Sequence, residues 1–277
     1  MSRPRPPDLS DPVLVSALDD APAWSGPFGA ALLERVEMRP GLSVLDVGCG
    51  TGFPAIELAN RLGGGCRVIA VDVWGVALRR ALFKAEAQQV VGVVPLKAAA
   101  EQLPLAPSSI DLAVSNNGLN NVRDEARAFA EIGRVTRPDG QLVITWNLPE
   151  TMAELYRELE SALVETGLGD ALPACAAHIH EKRKPVDHVV ALLSRSGFER
   201  IDVARSSFSM RFASGRALLG HFLVRLAFKP AWEALVPLPS RDELFSRLEE
   251  RLDAVVRTAG EIRLTVPFAC LSSRRSR

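Results

Sequence analysis

The stretch Val44–Phe53 constrains the fold of this chain more than any other part of the sequence. A short run of β-forming residues leads directly into three alternating glycines, which are Gly48, Gly50 and Gly52. Glycine allows the backbone to turn sharply and to lie close against a ligand. A helical pattern of apolar residues follows from Ala55. The stretch therefore predicts a strand, a turn and a helix, with free backbone N–H groups at the carboxyl end of the strand, where open α/β sheets bind ligands.

The spacing of these glycines separates two kinds of ligand. The dinucleotide fingerprint is G-x-G-x-x-G, but here the third glycine comes one residue early and Phe53 occupies the expected glycine position. Asp46 lies two residues before the first glycine, and its carboxylate would repel a pyrophosphate but attract an ammonium group. The stretch therefore favours a ligand with a cationic amino-acid end, and the alternative is a tight structural turn without a ligand.

The D-x-G-x-G-x-G stretch that starts at Asp46 resembles motif I of the class I S-adenosylmethionine (SAM) dependent methyltransferases. The resemblance covers Leu32–Trp146 and is closest to the type 11 group, which includes methyltransferases of quinone biosynthesis and of small molecules. It implies an α/β fold: a doubly wound, mostly parallel seven-stranded sheet that is Rossmann-like, with an antiparallel last strand. It also implies S-adenosyl-L-methionine as cofactor and S-adenosylhomocysteine as product.

A second strand is predicted over Arg67–Asp72, and Asp72 ends it about twenty residues after the glycine turn, the distance at which an acid at a strand tip reaches ribose hydroxyls. A carboxylate suits this task because it accepts hydrogen bonds from both hydroxyls. Val73 and Trp74 would then pack on the adenine face. The alternative for Asp72 is a simple helix cap.

The segment Ala98–Pro104 departs from the family pattern. The family commonly has Asp-Ala-Glu-x-Leu-Pro here, with the Asp bonded to the adenine amino group, whereas this chain has Ala99. Glu101, a backbone group or packing alone would hold adenine instead. The predicted cofactor-binding residues are Asp46, Gly48, Cys49, Gly50, Asp72, Val73, Trp74, Ala100, Glu101, Ser115 and Asn116.

The acceptor side of the site is predicted from scattered residues. In the resembling family the loop after the fourth strand (Ile110–Ser115) faces the methyl group, and here it is rich in asparagine. Trp24 and Phe28 would fold over the cofactor or, equally, form a hydrophobic staple at the edge of the domain. The predicted substrate-binding residues are Trp24, Phe28, Asn116, Asn120 and Phe222.

A general base is needed only if the acceptor must lose a proton. The catalytic candidates are His178 and His180 in an irregular stretch over residues 167–185, because an unperturbed histidine titrates near physiological pH; the alternative is a surface histidine without a role. His188 and His221 are predicted to be structural. The basic run over residues 182–184 is predicted to be a solvated face, with a grip on an anionic substrate as the alternative.

Five segments are predicted along the chain. Residues 1–20 are a disordered lead-in, 21–150 the SAM-binding α/β core, 151–212 its completion with a substrate-side helix and loop, 213–258 a helical lid insertion, and 259–277 the last strand with a frayed tail. Capping boxes at Thr151 and Ser240 are predicted to open two of the later helices. The alternative for the lid is an appended helical layer or a dimer face.

Composition excludes several other classes. The 277 residues include 33 basic and 33 acidic ones, so no global field recruits nucleic acid or an anionic membrane, and no apolar run approaches the length of a membrane span. The four cysteines lie far apart, which indicates neither a metal site nor a redox pair and suits the reducing cytoplasm. We expect a cytoplasmic monomer or homodimer whose partner is a small methyl acceptor, with no nucleic-acid or membrane partner.

The function predicted from the sequence is SAM-dependent methyl transfer to a small, partly apolar metabolite. Transfer is an in-line displacement, so positioning of the reactants is the main catalytic device. Two alternatives stay open: a non-catalytic SAM-binding protein of the same fold, and a nucleotide-cofactor oxidoreductase, against which Asp46 and Phe53 argue.

Overall fold

The computed structural model describes residues 8–19, 22–181 and 183–277. They divide into two compact units. The first unit holds the described residues up to Trp146 together with Pro185–Ser206 and Phe268–Arg277, and the second holds Asn147–Lys184 and Ser207–Pro267. None of the helices in these ranges is both long and apolar enough to cross a membrane.

One seven-stranded sheet runs through the described part of the chain. Its strands are β1 (Ser43–Val47), β2 (Arg67–Asp72), β3 (Val93–Lys97), β4 (Ile110–Asn116), β5 (Thr136–Asn147), β6 (Phe198–Phe212) and β7 (Ile262–Arg275). Their order is β3-β2-β1-β4-β5-β7-β6, and the neighbouring pairs among β1 to β5 are parallel. This confirms the predicted doubly wound, mostly parallel sheet. The strand order reverses between β1 and β4, where such sheets open a crevice for a ligand.

Eleven α-helices accompany the sheet within the described residues. In chain order they are α1 (Pro12–Asp19), α2 (Ser25–Arg35), α3 (Ala55–Leu62), α4 (Gly75–Ala87), α5 (Glu125–Val135), α6 (Ala153–Glu165), α7 (Leu172–Glu181), α8 (Val186–Arg195), α9 (Gly215–Gly220), α10 (Lys229–Glu233) and α11 (Arg241–Ala259). The second unit contains α6, α7 and α9 to α11.

The core of the first unit follows from alternation along the strands. Val44, Val68 and Val114 point to one face of the sheet and are completely or almost completely buried against Leu32 of α2 and Leu58 of α3. The opposite face is also buried, as strands covered by helices on both sides require. This packing places the glycine turn at the carboxyl ends of the strands.

The predicted disordered lead-in is wrong over the described residues 8–19, because α1 occupies most of them. Val15 is 1% exposed, and the Asp19 carboxylate accepts hydrogen bonds from Arg80 and Lys84 of α4. Burial and an ion-pair network together order a segment whose proline and charge content suggested disorder. Residues 1–7 and 20 lie outside the described residues.

The second unit corrects several local predictions. The stretch after Gly167 contains a 3₁₀ turn (Gly169–Ala171) and α7 rather than an irregular loop, since Pro173 lies in the first turn of the helix, where no backbone donor is lost. No side-chain cap forms at Thr151 or Ser240. Within the predicted helical insertion over 213–258, the apolar stretch 218–228 is divided between α9 and a π-helical turn (Val224–Phe228).

Candidate functional site

The glycine turn has the backbone geometry that the sequence predicted. Gly48, Gly50 and Gly52 all have positive φ angles, of 74°, 53° and 99°. A Cβ built on Gly48 would lie 2.8 Å from the Cα of Gly118, so close backbone packing at the β1/β4 switch point requires a glycine there. A Cβ built on Gly50 would meet no atom within 4 Å, so this part of the turn faces open space.

Asp46 lies at the base of the turn and is 0% exposed. Its Oδ2 accepts a hydrogen bond from the backbone N–H of Ala55, the first residue of α3, at 3.1 Å, whereas Oδ1 is buried without a partner. Burial raises the pKa of Asp46 to about 8, and the nearby charge of Asp72 adds to the rise. The carboxyl group thus joins strand to helix across the turn and retains one unsatisfied acceptor.

Asp72 stands at the tip of β2 and supports the turn from the side. Its Oδ2 accepts from the N–H of Gly50 and its Oδ1 from the N–H of Trp74, both at 2.8 Å. An ionised carboxylate offers about four acceptor positions, so two remain for a ligand. Asp72 therefore fixes the backbone at Gly50 and Trp74 without capping α4, and it keeps the capacity to bind two hydroxyls.

A cavity of about 820 Å³ opens beside these residues in the first unit. The predicted cofactor residues on its wall are Gly48, Asp72, Val73, Trp74, Ala100, Glu101 and Asn116. Most of the predicted set is thus brought together at the carboxyl ends of β1, β2 and β4. Asp46, Cys49, Gly50 and Ser115 do not line this cavity.

Two of those four residues are corrected to supporting roles. Ser115 is 1% exposed, and its hydroxyl donates to the carbonyl of Val47 at 2.7 Å and accepts from the N–H of Leu119, so it joins β4 to β1 instead of facing a ligand. Cys49 is 2% exposed, and burial raises the pKa of its thiol. Neither side chain reaches the cavity, because each points into the core at a strand end.

The cavity wall near Ala99 lacks the acid that bonds the adenine amino group in the resembling family. Ala98, Ala99 and Ala100 line the cavity and present no hydrogen-bonding side chain. The carboxylate of Glu101 accepts from the N–H of Arg123 at 2.9 Å and of Asp124 at 3.3 Å, and backbone donors of this kind hold its pKa below the ordinary value. Glu101 therefore organises the start of α5 with one oxygen.

The asparagine loop after β4 lies at the same edge. Asn116 lines the cavity, but its amide already donates to the carbonyl of Ser25 at 3.1 Å and accepts from Thr145 at 3.0 Å. Asn117, which is not among the predicted site residues, also lines the cavity, and its side-chain oxygen is buried without a partner. In the sequence, the pair Asn117-Gly118 indicates only a turn, and the φ of 58° at Asn117 confirms that turn. The sequence therefore did not indicate that the Asn117 side chain lines the cavity.

One predicted substrate residue, Phe28, belongs to the core, and two others lie away from the cavity wall. Phe28 is 0% exposed and its ring centroid lies 4.7 Å from that of Phe268, so it forms the hydrophobic staple and is not a substrate contact. Trp24 packs on Phe28, with ring centroids 5.4 Å apart. Asn120 is 8% exposed within a 3₁₀ turn and does not line the cavity.

The remaining predicted residues lie in the second unit. His178 and His180 lie on α7 and border a surface depression of about 640 Å³, and the ring centroid of His178 is 6.3 Å from that of Tyr156. Phe222 is half-buried between α9 and the π-helical turn. Arg123 and Arg127 of the first unit line the large cavity and were missed, because nothing in their sequence context distinguishes them from surface arginines. The described residues contain no cluster of metal-ligating side chains.

The residues of the first unit fit S-adenosyl-L-methionine. Asn117 lines the cavity and its Oδ1 has no hydrogen-bond donor, which a ligand with an ammonium group or hydroxyls would supply. The open space at Gly50 leaves room for a ligand against the turn.

Comparison with known proteins agrees with this geometry. Residues 45–144 match a family model described as a methyltransferase domain, of the type 11 group. These residues are a class I SAM-dependent methyltransferase domain. The matched segment of this methyltransferase domain runs from β1 into β5 and so contains the glycine turn, Asp72 and the asparagine loop.

Curated relatives of the methyltransferase domain differ in how much of the chain they share. Nocamycin O-methyltransferase of Saccharothrix syringae is 25% identical over 257 residues, 90% of each chain. Several other curated relatives are matched over only 33% to 48% of their own length.

Solved structures share the fold over about nine-tenths of the chain. The YcgJ protein from Bacillus subtilis has a TM-score of 0.60 at 15% identity, covering 91% of this chain and 99% of that one. The [4+2]-cyclase SpnF has a TM-score of 0.55 at 20% identity, covering 90% of this chain and 80% of that one.

Proposed function

We propose that this protein transfers the methyl group of S-adenosyl-L-methionine to a small, partly apolar molecule. One observation carries the proposal: the methyltransferase domain places Gly48, Asp72 and Asn116 around a cavity of about 820 Å³ at the carboxyl ends of its strands. A cavity of this size suits a nucleoside-containing ligand, since small-molecule sites commonly span roughly 300–1,000 Å³.

Each part of the cavity has a role in holding the cofactor. Asp72 would accept from the two ribose hydroxyls while it continues to hold the N–H groups of Gly50 and Trp74. Val73 and Trp74 would flank the purine, and the apolar wall around Ala99 would contact it by packing. Asp46 is buried outside the cavity, so it would support the cofactor indirectly, by holding the N–H of Ala55 behind the glycine turn.

The chain contributes placement to the reaction. When bound, the cofactor supplies a methyl group on a sulfonium that is ready to leave. The hydrogen bonds from Thr145 to Asn116 and from Asn116 to Ser25 fix the loop beside the cavity, and a fixed loop would align an acceptor for in-line attack. His178 and His180 stay candidate bases for an acceptor that must lose a proton.

A relative supports a small-molecule acceptor. The protein matched over 90% of both chains is named for O-methylation of nocamycin. A neighbour of the same fold is a [4+2]-cyclase, so the fold by itself does not determine the reaction, and a SAM-binding protein without transfer activity is the second candidate. The wall at Ala98, Ala99 and Ala100 offers adenine no hydrogen-bonding side chain, and this departure from the family pattern keeps the second candidate open.

Calorimetric titration of the full chain with S-adenosylhomocysteine, SAM and NAD tests the proposal. We expect saturable binding of the first two ligands and none of NAD. Preferential binding of NAD would indicate an oxidoreductase and refute the assignment. Release of S-adenosylhomocysteine from SAM in the presence of a panel of small hydroxylated acceptors then separates a transferase from a protein that only binds the cofactor.

The segment boundaries and the lid over residues 213–258 stay predictions. Hydrogen exchange with and without S-adenosylhomocysteine tests them, because the backbone amides of a lid are expected to exchange more slowly once the ligand is bound. Slower exchange within residues 152–185 or 213–258 would support the lid. Protection confined to residues 44–121 would favour the appended helical layer or the dimer face.

A further inference from the structure

Arg183 is a buried cation in the second unit, where the sequence predicted a solvated face. It follows the end of α7 and is only 6% exposed. Its guanidinium carbon lies 5.3 Å from the ring centroid of Tyr156, a cation–π arrangement, and its Nη1 donates to the carbonyl of Thr151 at 3.1 Å. These two contacts place the guanidinium but bring no negative charge to it.

No carboxylate among residues 8–19, 22–181 and 183–277 forms an ion pair with Arg183. Other arginines of the second unit are treated differently: Arg247 and Arg251 both pair with Glu165, although their side chains are 43% and 25% exposed. Burying a charge without a counter-charge is strongly unfavourable. The free-energy cost is therefore higher at Arg183 than at Arg247 and Arg251, which are more exposed and paired. The most buried of these three arginines is thus the one that lacks an acid.

The free edge of Arg183 has the geometry of a carboxylate receptor. Because Nη1 is engaged with Thr151, the Nε–H and the Nη2 amino group remain, and neither has a hydrogen-bond partner among the described residues. Neither nitrogen belongs to the fully enclosed unsatisfied atoms, so this edge keeps access to solvent. Two parallel N–H donors of this kind match the two oxygens of a carboxylate.

The surroundings of Arg183 hold the guanidinium rigidly. Tyr156 is 3% exposed and accepts a hydrogen bond on its hydroxyl from the indole N–H of Trp232, which is itself 0% exposed, at 3.2 Å. A guanidinium against such an apolar wall attracts an anion more strongly than a solvated one, because the local dielectric is low. Its single charge is neutralised by one carboxylate, whereas a phosphate dianion would bring excess negative charge.

We propose that Arg183 is the anion-binding group of a carboxylate site in the second unit, whose ligand is a small monocarboxylic acid. The site is independent of the proposed methyl transfer, since every residue that forms it lies within the second unit and no cofactor contact is required. It goes beyond the predicted apolar acceptor by adding an acid group to the molecules that this protein binds.

The test uses ¹⁹F NMR of the full chain with fluoroacetate as a small carboxylate probe and fluoroacetamide as its neutral counterpart. We expect saturable binding of fluoroacetate and much weaker binding of fluoroacetamide. Arg183→Gln should reduce the affinity for fluoroacetate at least tenfold. Arg183→Lys should also reduce it, because a lysine retains the charge but not the two-pronged edge.

Arg157→Gln is the matched control, because Arg157 is an exposed arginine of α6 in the same unit, and it should bind fluoroacetate as the parent does. Circular dichroism of each variant verifies folding. Equal affinity in Arg183→Gln and the parent, equal binding of the amide, or no saturable binding to the parent would overturn the proposal. Stronger binding of inorganic phosphate, measured by displacement of fluoroacetate, would overturn the carboxylate assignment.

Discussion

The proton on Asp46 leads to a quantitative prediction about stability and pH. Asp46 is 0% exposed, and its pKa rises from 3.8 to about 8 in the folded chain. A rise of this size corresponds to on the order of 6 kcal/mol at about 1.4 kcal/mol per pKa unit. Because the folded state binds this proton more tightly than the unfolded state, the associated stability is complete below pH 3.8 and is lost as the pH rises to about 8.

Asp46→Asn removes this pH dependence. The amide resembles the protonated acid in shape and its oxygen can still accept from the N–H of Ala55. We therefore expect the variant to gain stability relative to the parent as the pH rises from 5 to 8. The ceiling is about 4 kcal/mol, since the window spans three pH units, and local opening of the turn, which rehydrates the carboxylate, keeps the gain below it.

Urea unfolding followed by circular dichroism at pH 5, 6.5 and 8 measures the difference in the free energy of unfolding between parent and variant. Asp170→Asn serves as control, since Asp170 is an exposed residue of the second unit and its replacement should shift stability equally at all three pH values. A difference between Asp46→Asn and the parent that is the same at pH 5 and pH 8 would refute the reasoning about the buried proton.

Three other changes test the site of the first unit. Asp72→Ala should weaken the binding of S-adenosylhomocysteine in calorimetry by about 1.5–3 kcal/mol, the range for a charge-assisted hydrogen bond; unchanged affinity would show that the ribose assignment is wrong. Gly50→Val should abolish this binding more than it lowers the melting temperature, because its Cβ would enter open space at the turn; an early melting point without a selective binding defect would make the turn purely structural. Asp19→Asn should speed hydrogen exchange in α1, because the Asp19 carboxylate holds Arg80 and Lys84 and also accepts from Thr51 of the glycine turn; unchanged exchange would mean that burial alone orders this helix.

Local sequence was sufficient to predict those parts of the first unit whose conformation depends on apolar pattern and on glycine. Buried parallel strands require apolar runs, and a turn with positive φ angles requires glycine, so the segment from Val44 to Gly52 had one favourable conformation. The position of Asp72 was predictable for a similar reason, because parallel strands end at the same edge of the sheet and their tips are neighbours.

Other features were decided by partners that are distant in the chain. Glu154 looked like the second half of a capping box, but its carboxylate accepts both hydrogen bonds of Thr265, from the N–H at 3.1 Å and the hydroxyl at 2.6 Å. Arg275 looked like part of a frayed tail, but it ends β7 and donates to the carbonyls of Gly133 and Gly197 at 2.8 and 2.7 Å. A hydrogen-bonding side chain takes the partner that the fold presents, and spacing along the chain does not contain that information.

Burial of charge separates the two sources of information most clearly. Asp46 was recognisable from the sequence, because it lies two residues before the first glycine of the motif and this spacing places it at the turn. Arg183 lies in a run of basic residues, and such a run predicts a charge exposed to solvent. In the structure, however, its guanidinium packs on Tyr156 and donates to Thr151. Sequence by itself determined which strands and turns form, since those depend on local backbone preference and apolar periodicity. Only the tertiary structure decided which charges lose water, because desolvation depends on what the rest of the chain packs around them.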